Sequence, residues 1–293
     1  MLESIRQRAR VSILEMVGGG SGPPIAFLTP AGDPGLFGPD SMVWRVHADF
    51  ISMMIGGISS LSLQALHPQA LAGVWDHSTF RQDLKGRLGR TAYFIAATTY
   101  GPTEMANKII DKVNSIHKVV RGTDESGKPY HALDPHLLKW VHITETYSFL
   151  KAYQTHCKPE LTLTEQDQYF REMKTLGERM GAINLPSTLA GTYEEILKYK
   201  DELRFNERAQ SIIELLSDFP SSPLSKPLVK LITRAGFANL PPWALGFINK
   251  PIPTFIDQIA IKSGVSLMAI PIREALKNGV AAHSYKRVYG CKP

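Results

Sequence analysis

Cysteine is scarce in this chain: Cys157 and Cys291 are the only two among 293 residues. That excludes a disulfide framework and any zinc knuckle built from paired thiolates. Long apolar runs are also lacking. The stretch ISMMIGGISSLSLQAL at 51–66 is interrupted by Gly, Ser and Gln, and falls short of the roughly 20 apolar residues a membrane span requires. It reads as a buried helix or pair of helices, and the expectation is a soluble chain with no transmembrane segment. The first residues, MLESIRQRARVSILEMVGGGSG, scatter charge through the segment and show no apolar core before a cleavage site, so no signal peptide is read and a cytoplasmic location is expected. The net charge of +6 comes from dispersed basic residues without a run of five or six, which argues against nucleic acid as a partner. With 43% hydrophobic and 20% charged residues, the composition is that of an ordinary globular protein with enough chain for a sizeable core.

Alternating β-branched runs bounded by hairpin turns are missing too, so the fold class is all-α. Residues 102–121, PTEMANKIIDKVNSIHKVVR, open with Pro102 and stop at Gly122, the usual ends of a helix. Ala106, Ile109, Ile110, Val113, Ile116 and Val120 recur three or four apart, and His117 shares their face. A second helix is expected over about 135–156, apolar around much of its circumference. Thr162 with Glu165 forms a capping-box pattern for a helix ending near Gly181. Ser187 is read as starting TLAGTYEEILKYKDEL, with further helices around 206–218, 223–235 and 254–278. Segments 27–40 and 121–135, rich in Gly, Pro and Asp, read as loops. No linker divides the chain, so 1–293 is one large helical domain: an N-terminal arm and loop at 1–40, a core at 41–182, and a C-terminal helical layer at 183–293.

Several catalytic signatures are absent. There is no HExxH, no Glu-x-x-His of di-iron bundles and no Gly-x-Ser-x-Gly elbow. GGGSG at 18–22 follows no strand and is not a nucleotide loop. What remains is the pair Arg87 and Thr91, four apart on one helix face in RLGRTAYF, together with the inward imidazole of His117. A buried arginine, a hydroxyl and an imidazole among apolar residues suit a haem or ligand pocket: the imidazole for iron, the arginine for propionates or an oxygen species, the apolar walls for the macrocycle. The plainer reading makes His117 a hydrogen-bonded core residue. His142, in WVHIT, is the second candidate ligand. His67 before Pro68 reads as a helix end, His77 as the edge of a short helix, and Cys157 lacks any thiolate-ligand pattern.

Five segments in order, GGISSLSLQALHPQALAGVWDHSTF, RLGRTAYF, HKVVRG, YHALDPHLLKWVHITETYSFLKAY and LTLTEQDQYFREMKTLGERMG, resemble the oxygenase family that includes latex-clearing rubber oxygenases and mpaB-type enzymes of meroterpenoid biosynthesis. The resemblance covers roughly 40–182 and, more weakly, the helical remainder. It implies a globin-like core holding one haem b, whose iron and O2 cleave a C=C bond of an isoprenoid, an oxidoreductase activity. His117 in His-x-x-Val-x-Gly matches the axial ligand to the metal, and Arg87 with Thr91 matches the Arg-x-x-x-Thr pair beside the haem. Arg90 stands where rubber oxygenases carry a distal lysine. An arginine stays protonated and is a poor iron ligand, so a lysine-capped resting state is not expected. The family's catalytic acid has no counterpart in QALAGV, which argues against polymer cleavage. Lys118 and Arg121 follow His117 either to meet propionates or to complement the helix dipole.

The function expected from these readings is a haem-dependent oxygenase of a small apolar, unsaturated substrate, with Arg87, Arg90 and Thr91 at the reacting centre and His117, Arg87, Thr91, Arg121 and His142 around the cofactor. The competing reading is a helical protein that binds haem or lipid without turnover.

Overall fold

The computed structural model describes residues 25–290 apart from 159, 220 and 224. GGGSG, the first part of the N-terminal arm and Cys291 therefore lie outside the described residues. Thirteen α-helices, two short 3-10 turns (Ile25–Leu28 and Lys200–Glu202) and one two-stranded hairpin account for the regular structure described, and the all-α expectation holds. The helices are α1 (Met42–His47), α2 (Phe50–Gln64), α3 (Pro68–His77), α4 (Leu84–Tyr100) and α5 (Thr103–His117), followed by β1 (Arg121–Thr123) and β2 (Pro129–His131). The remainder are α6 (Pro135–His156), α7 (Leu163–Arg179), α8 (Leu189–Lys198), α9 (Glu207–Ser217), α10 (Lys226–Ala238), α11 (Pro242–Phe247), α12 (Phe255–Leu276) and α13 (Val280–Tyr289).

The centre is the pair α2 and α6, which pack more extensively than any other two elements described. α6 starts where the sequence demands: Pro135 takes its first turn, and the Asp134 carboxylate accepts from the His136 N–H at 2.9 Å, capping an otherwise orphan donor. Gly56 sets how closely α2 approaches. A Cβ there would lie 2.9 Å from Phe149 Cα and 3.0 Å from the Ser148 carbonyl oxygen, so the two helices meet backbone to backbone. On its other side α2 packs against α10, which in turn packs against α12. Ile51, Ile55 and Ile58 thus share one core with Ile212, Val229, Ile232 and Val265, so the C-terminal helices are part of the same core as the first half of the chain. An ion pair closes this arrangement: Arg273 Nε of α12 donates to Asp49 Oδ2 at 2.6 Å, and its Nη2 donates to the His156 carbonyl at 3.1 Å.

The capping box at Thr162 and Glu165 forms as read, and α7 ends at Arg179 with Gly181 beyond it at φ +97°. Several boundaries differ: the helix read over 223–235 runs Lys226–Ala238, and the one read from Ser187 is capped by Thr188 and spans Leu189–Lys198. α5 stops at His117 rather than at residue 121, and Arg121 lies in β1, paired with His131. The cause is the turn between the strands: Asp124 accepts from the backbone N–H groups of Ser126 and Lys128 through one carboxylate oxygen, and Gly127 takes φ +83°. These side-chain bonds compete with helix continuation and win.

The short helices α11 and α13, both unforeseen, complete the fold. α13 carries Arg287, whose buried guanidinium donates to the carbonyls of Asp33, Phe27 and Tyr100 at 2.8–3.0 Å, tying residues 27–33 to the end of α4. α12 bears on the membrane question. It packs through Ile261, Val265, Ala269 and Ile272, while Phe255, Ile256, Ile259, Leu267 and Ile270 stay exposed. By length and composition this helix could cross a membrane, so the expectation of no such segment gains no support from the structure.

Candidate functional site

Between α2, α4 and α6 lies a cavity of about 380 Å³, within the roughly 300–1,000 Å³ of small-molecule sites. Met53, Leu61, Ile95 and Phe149 give it apolar walls, and Ile212 and Leu215 of α9 with Leu276 and Val280 near the C-terminus close it. The polar groups among these walls are few: His47, Arg87, Thr91, Glu145 and several uncharged ones such as Ser60 and Gln64.

Arg87 and Thr91 both line the cavity, as their four-residue spacing on α4 requires. Arg87 is half-buried and donates from Nη1 to Ser78 Oγ at 2.6 Å. Burial lowers its pKa, and the neighbouring Arg90 charge adds to the effect. The guanidinium has five N–H donors, and no carboxylate within the described residues forms an ion pair with it. Thr91 is exposed and returns its hydroxyl to the Arg87 carbonyl at 3.2 Å. Arg90 does not line the cavity; it is exposed, 3.5 Å from Asp83 Oδ2 and 3.2 Å from Thr79 Oγ1.

The histidines divide differently from the sequence reading. His117 stands on the inward face of α5 with Ala106 and Ile110, and α5 packs against α4. Its Nδ1 is buried without a hydrogen-bond partner, and burial holds the ring's pKa below the usual histidine value, with His131 adding to this. The imidazole is not part of the cavity wall. His142 is not part of it either: it packs beside Gly177 of α7, where a Cβ would lie 2.9 Å from its ring, and burial pushes its pKa down to about 4. Arg121 and Lys118 are exposed away from the cavity, their carbonyls meeting the rings of His77 and His131. Cys157 is likewise apart from the cavity wall.

Two cavity residues escaped the sequence reading. His47 is buried at the end of α1 with both nitrogens engaged, Nδ1 at 2.8 Å from Thr99 Oγ1 and Nε2 at 3.0 Å from Tyr169 Oη. Burial pushes its pKa down to about 3, so it is a neutral, structurally committed ring. Glu145 matters more. Its carboxyl faces the cavity from α6 without a hydrogen-bond partner among the described residues, and burial raises its pKa to about 7. A carboxyl poised near neutrality in an apolar chamber is the usual state of a general acid or base. The signal was available in HITETYSF, because an acid inside an all-round apolar helix is seldom placed there without use.

The site as a whole fits an apolar group that carries carboxylates. The walls suit a macrocycle or hydrocarbon and the Arg87 fork suits a carboxylate, whereas the imidazole nitrogen without a partner, His117 Nδ1, stands on α5 outside the cavity wall. A family model described as ER-bound oxygenase mpaB/B'/Rubber oxygenase, catalytic domain, matches residues 44–268, and these include every cavity residue just discussed except Leu276 and Val280. No curated protein and no solved structure matches the chain, so the expected globin-like core rests on resemblance alone.

Proposed function

This chain belongs to the mpaB and rubber oxygenase family, and we propose that it is a haem b-dependent oxygenase that oxidises a small apolar, unsaturated substrate of isoprenoid type in the α2–α4–α6 cavity. The observation that carries this reading is the combination of an apolar chamber with three polar residues, Arg87, Thr91 and Glu145, among those that line it.

The chemistry a bound haem b supplies is activation of O2 at iron for attack on a C=C bond. The chain's own residues do the rest. Arg87 would hold a propionate through the donors that Ser78 leaves free, a charge-assisted pairing. Thr91 offers a hydroxyl on the same helix face. Glu145, close to half-protonated near pH 7, gives or takes a proton where α6 meets the cavity. Met53, Leu61, Ile95 and Phe149 hold the alkene and keep bulk water away. His117 would offer a nitrogen to the metal: burial holds its pKa below the usual histidine value, which favours the neutral, ligating ring, and its Nδ1 has no protein partner. Since it stands on α5 outside the cavity wall, this role requires α4 to open the chamber toward it. Arg90 enters only as a neighbouring charge beside Arg87, and His142 is the alternative ligand.

The test is an absorption spectrum of the full chain after haem addition, beside His117→Ala and His142→Ala. The expected result is a sharp Soret band in the wild type and in His142→Ala, lost in His117→Ala, followed by O2 uptake when short isoprenoid alkenes are added. A band that survives in His117→Ala and disappears in His142→Ala transfers the ligand to α6. No specific band in any of the three proteins overturns the haem reading, and a band without O2 uptake leaves a carrier.

A further inference from the structure

Away from the cavity, three side chains distant in sequence converge. His67 sits in the joint between α2 and α3, His136 in the first turn of α6, and Glu202 at the end of a short 3-10 turn, Lys200–Glu202. Their ligating atoms all lie within 4.8 Å of one another, and none of the three lines the large cavity. We propose that His67, His136 and Glu202 form a site for a first-row divalent cation of the Zn²⁺ type, independent of the oxygenase chemistry.

The geometry is close to what such an ion needs. His136 Nε2 stands 2.9 Å from both oxygens of Glu202, and His67 Nε2 stands 3.4 Å from Glu202 Oε2. Ligands about 2.0–2.2 Å from a tetrahedral ion are about 3.3–3.5 Å apart, so only small side-chain movements are required. Two imidazoles and one carboxylate are also the donor set of open, water-bearing metal sites. Nitrogen donors favour a transition ion over Mg²⁺ or Ca²⁺.

His67 supplies the independent observation. It is 1% exposed, yet neither ring nitrogen has a hydrogen-bond partner. Its Nε2 lies 3.4 Å from Glu202 Oε2, an ion-pair contact rather than a hydrogen bond. Buried polar atoms are nearly always satisfied, and a metal is one way to satisfy this one.

The frame around the three residues is rigid. The His67 ring is packed among Trp140, Tyr199 and His136, each 6.1 Å away between centroids. The His136 ring stacks on Tyr199 at 4.4 Å, while the Tyr199 hydroxyl donates to the His136 carbonyl at 3.0 Å. The Arg204 N–H donates to the Leu66 carbonyl at 2.7 Å, holding the chain beside Glu202 against the chain beside His67. His136 and Glu202 are partly exposed, which leaves a solvent-facing side for water ligands. The ion would pin the α2–α3 joint, the start of α6 and the 3-10 turn to one point.

The test titrates the chelator-treated full chain with Zn²⁺ by calorimetry and thermal unfolding, and with Co²⁺ by its visible absorption. His136→Ala and Glu202→Gln, both at partly exposed positions, are measured beside it. The expected result is one equivalent of Zn²⁺, a raised unfolding midpoint that Mg²⁺ does not reproduce, a tetrahedral Co²⁺ spectrum, and affinity at least tenfold weaker in each variant. Absence of binding in the wild type, or equal affinity in all three proteins, overturns the proposal and leaves His136 and Glu202 as an ordinary surface ion pair. These readouts need no haem and no substrate, so they stand or fall apart from the oxygenase reading.

Discussion

Arg87 and Glu145 line the same apolar cavity from different helices, α4 and α6, yet form no ion pair with each other. A cation and an acid kept apart in one poorly solvated space both cost free energy, and a site that binds a charged or reacting group is where such a cost is retained.

Glu145→Gln separates that cost from its use. Burial raises the folded pKa to about 7 from the ordinary glutamate value of 4.5. The folded state therefore binds more protons than the unfolded state between those values, and stability falls as pH rises through this window. Glutamine removes the dependence. The variant is expected to match the wild type at pH 4 and to exceed it by about 3 kcal/mol at pH 8, while oxygenase turnover is lost. Denaturant titrations at the two pH values check the first expectation.

Arg87→Leu gives a second contrast. The guanidinium loses only the Ser78 hydrogen bond and escapes its desolvation penalty, so stability is expected to change by less than about 1 kcal/mol. Affinity for a carboxylate-bearing cofactor is expected to drop at least tenfold. Haem titration of the folded variant measures it.

His142 has the opposite pH signature to Glu145. Its folded pKa is depressed to about 4 from 6.5, so its contribution to stability is complete above pH 6.5 and is lost as pH falls through about 4. His142→Gln is expected to flatten the stability profile over that range, by up to about 3 kcal/mol. Unfolding midpoints at pH 7 and pH 4 give the comparison.

Gly56→Ala tests the central helix pair. The added methyl meets the Phe149 backbone at 2.9 Å, and a backbone contact cannot rotate away. The expected cost is about 2–3 kcal/mol, seen as a lower denaturation midpoint.

Arg287→Met tests the C-terminal clasp. The Asp33 and Phe27 carbonyls lose this donor and the Tyr100 carbonyl is left with Ser284 Oγ, for an expected loss of about 2–3 kcal/mol. Residues 27–33 should then exchange amide hydrogens faster, which mass spectrometry reads directly.

Local signals served the sequence reading well. Pro102, the Thr162–Glu165 box and Gly181 marked helix ends because each acts on its own backbone within a turn or two. Arg87 and Thr91 were found together because four residues on a helix is also a local relation. Glu145 was missed since its importance depends on which helices surround it. The His67, His136 and Glu202 cluster was missed for the same reason: no motif spans it, and only the packing of α6 against the α2–α3 joint brings the three together. The overrun of α5 to residue 121 had a different cause, as Asp124 and Gly127 redirect the chain from beyond the segment whose periodicity was being read.

The match to the family ends at residue 268, inside α12. Leu276, Gly279, Val280 and Ala281, all beyond it, are part of the cavity wall. A protein cut back to the matched region would keep Arg87, Thr91 and Glu145 but open a window on one side of the chamber. The matched segment carries Arg87, Thr91 and Glu145, whereas the last turn of α12 and the start of α13 complete the chamber's wall from outside it.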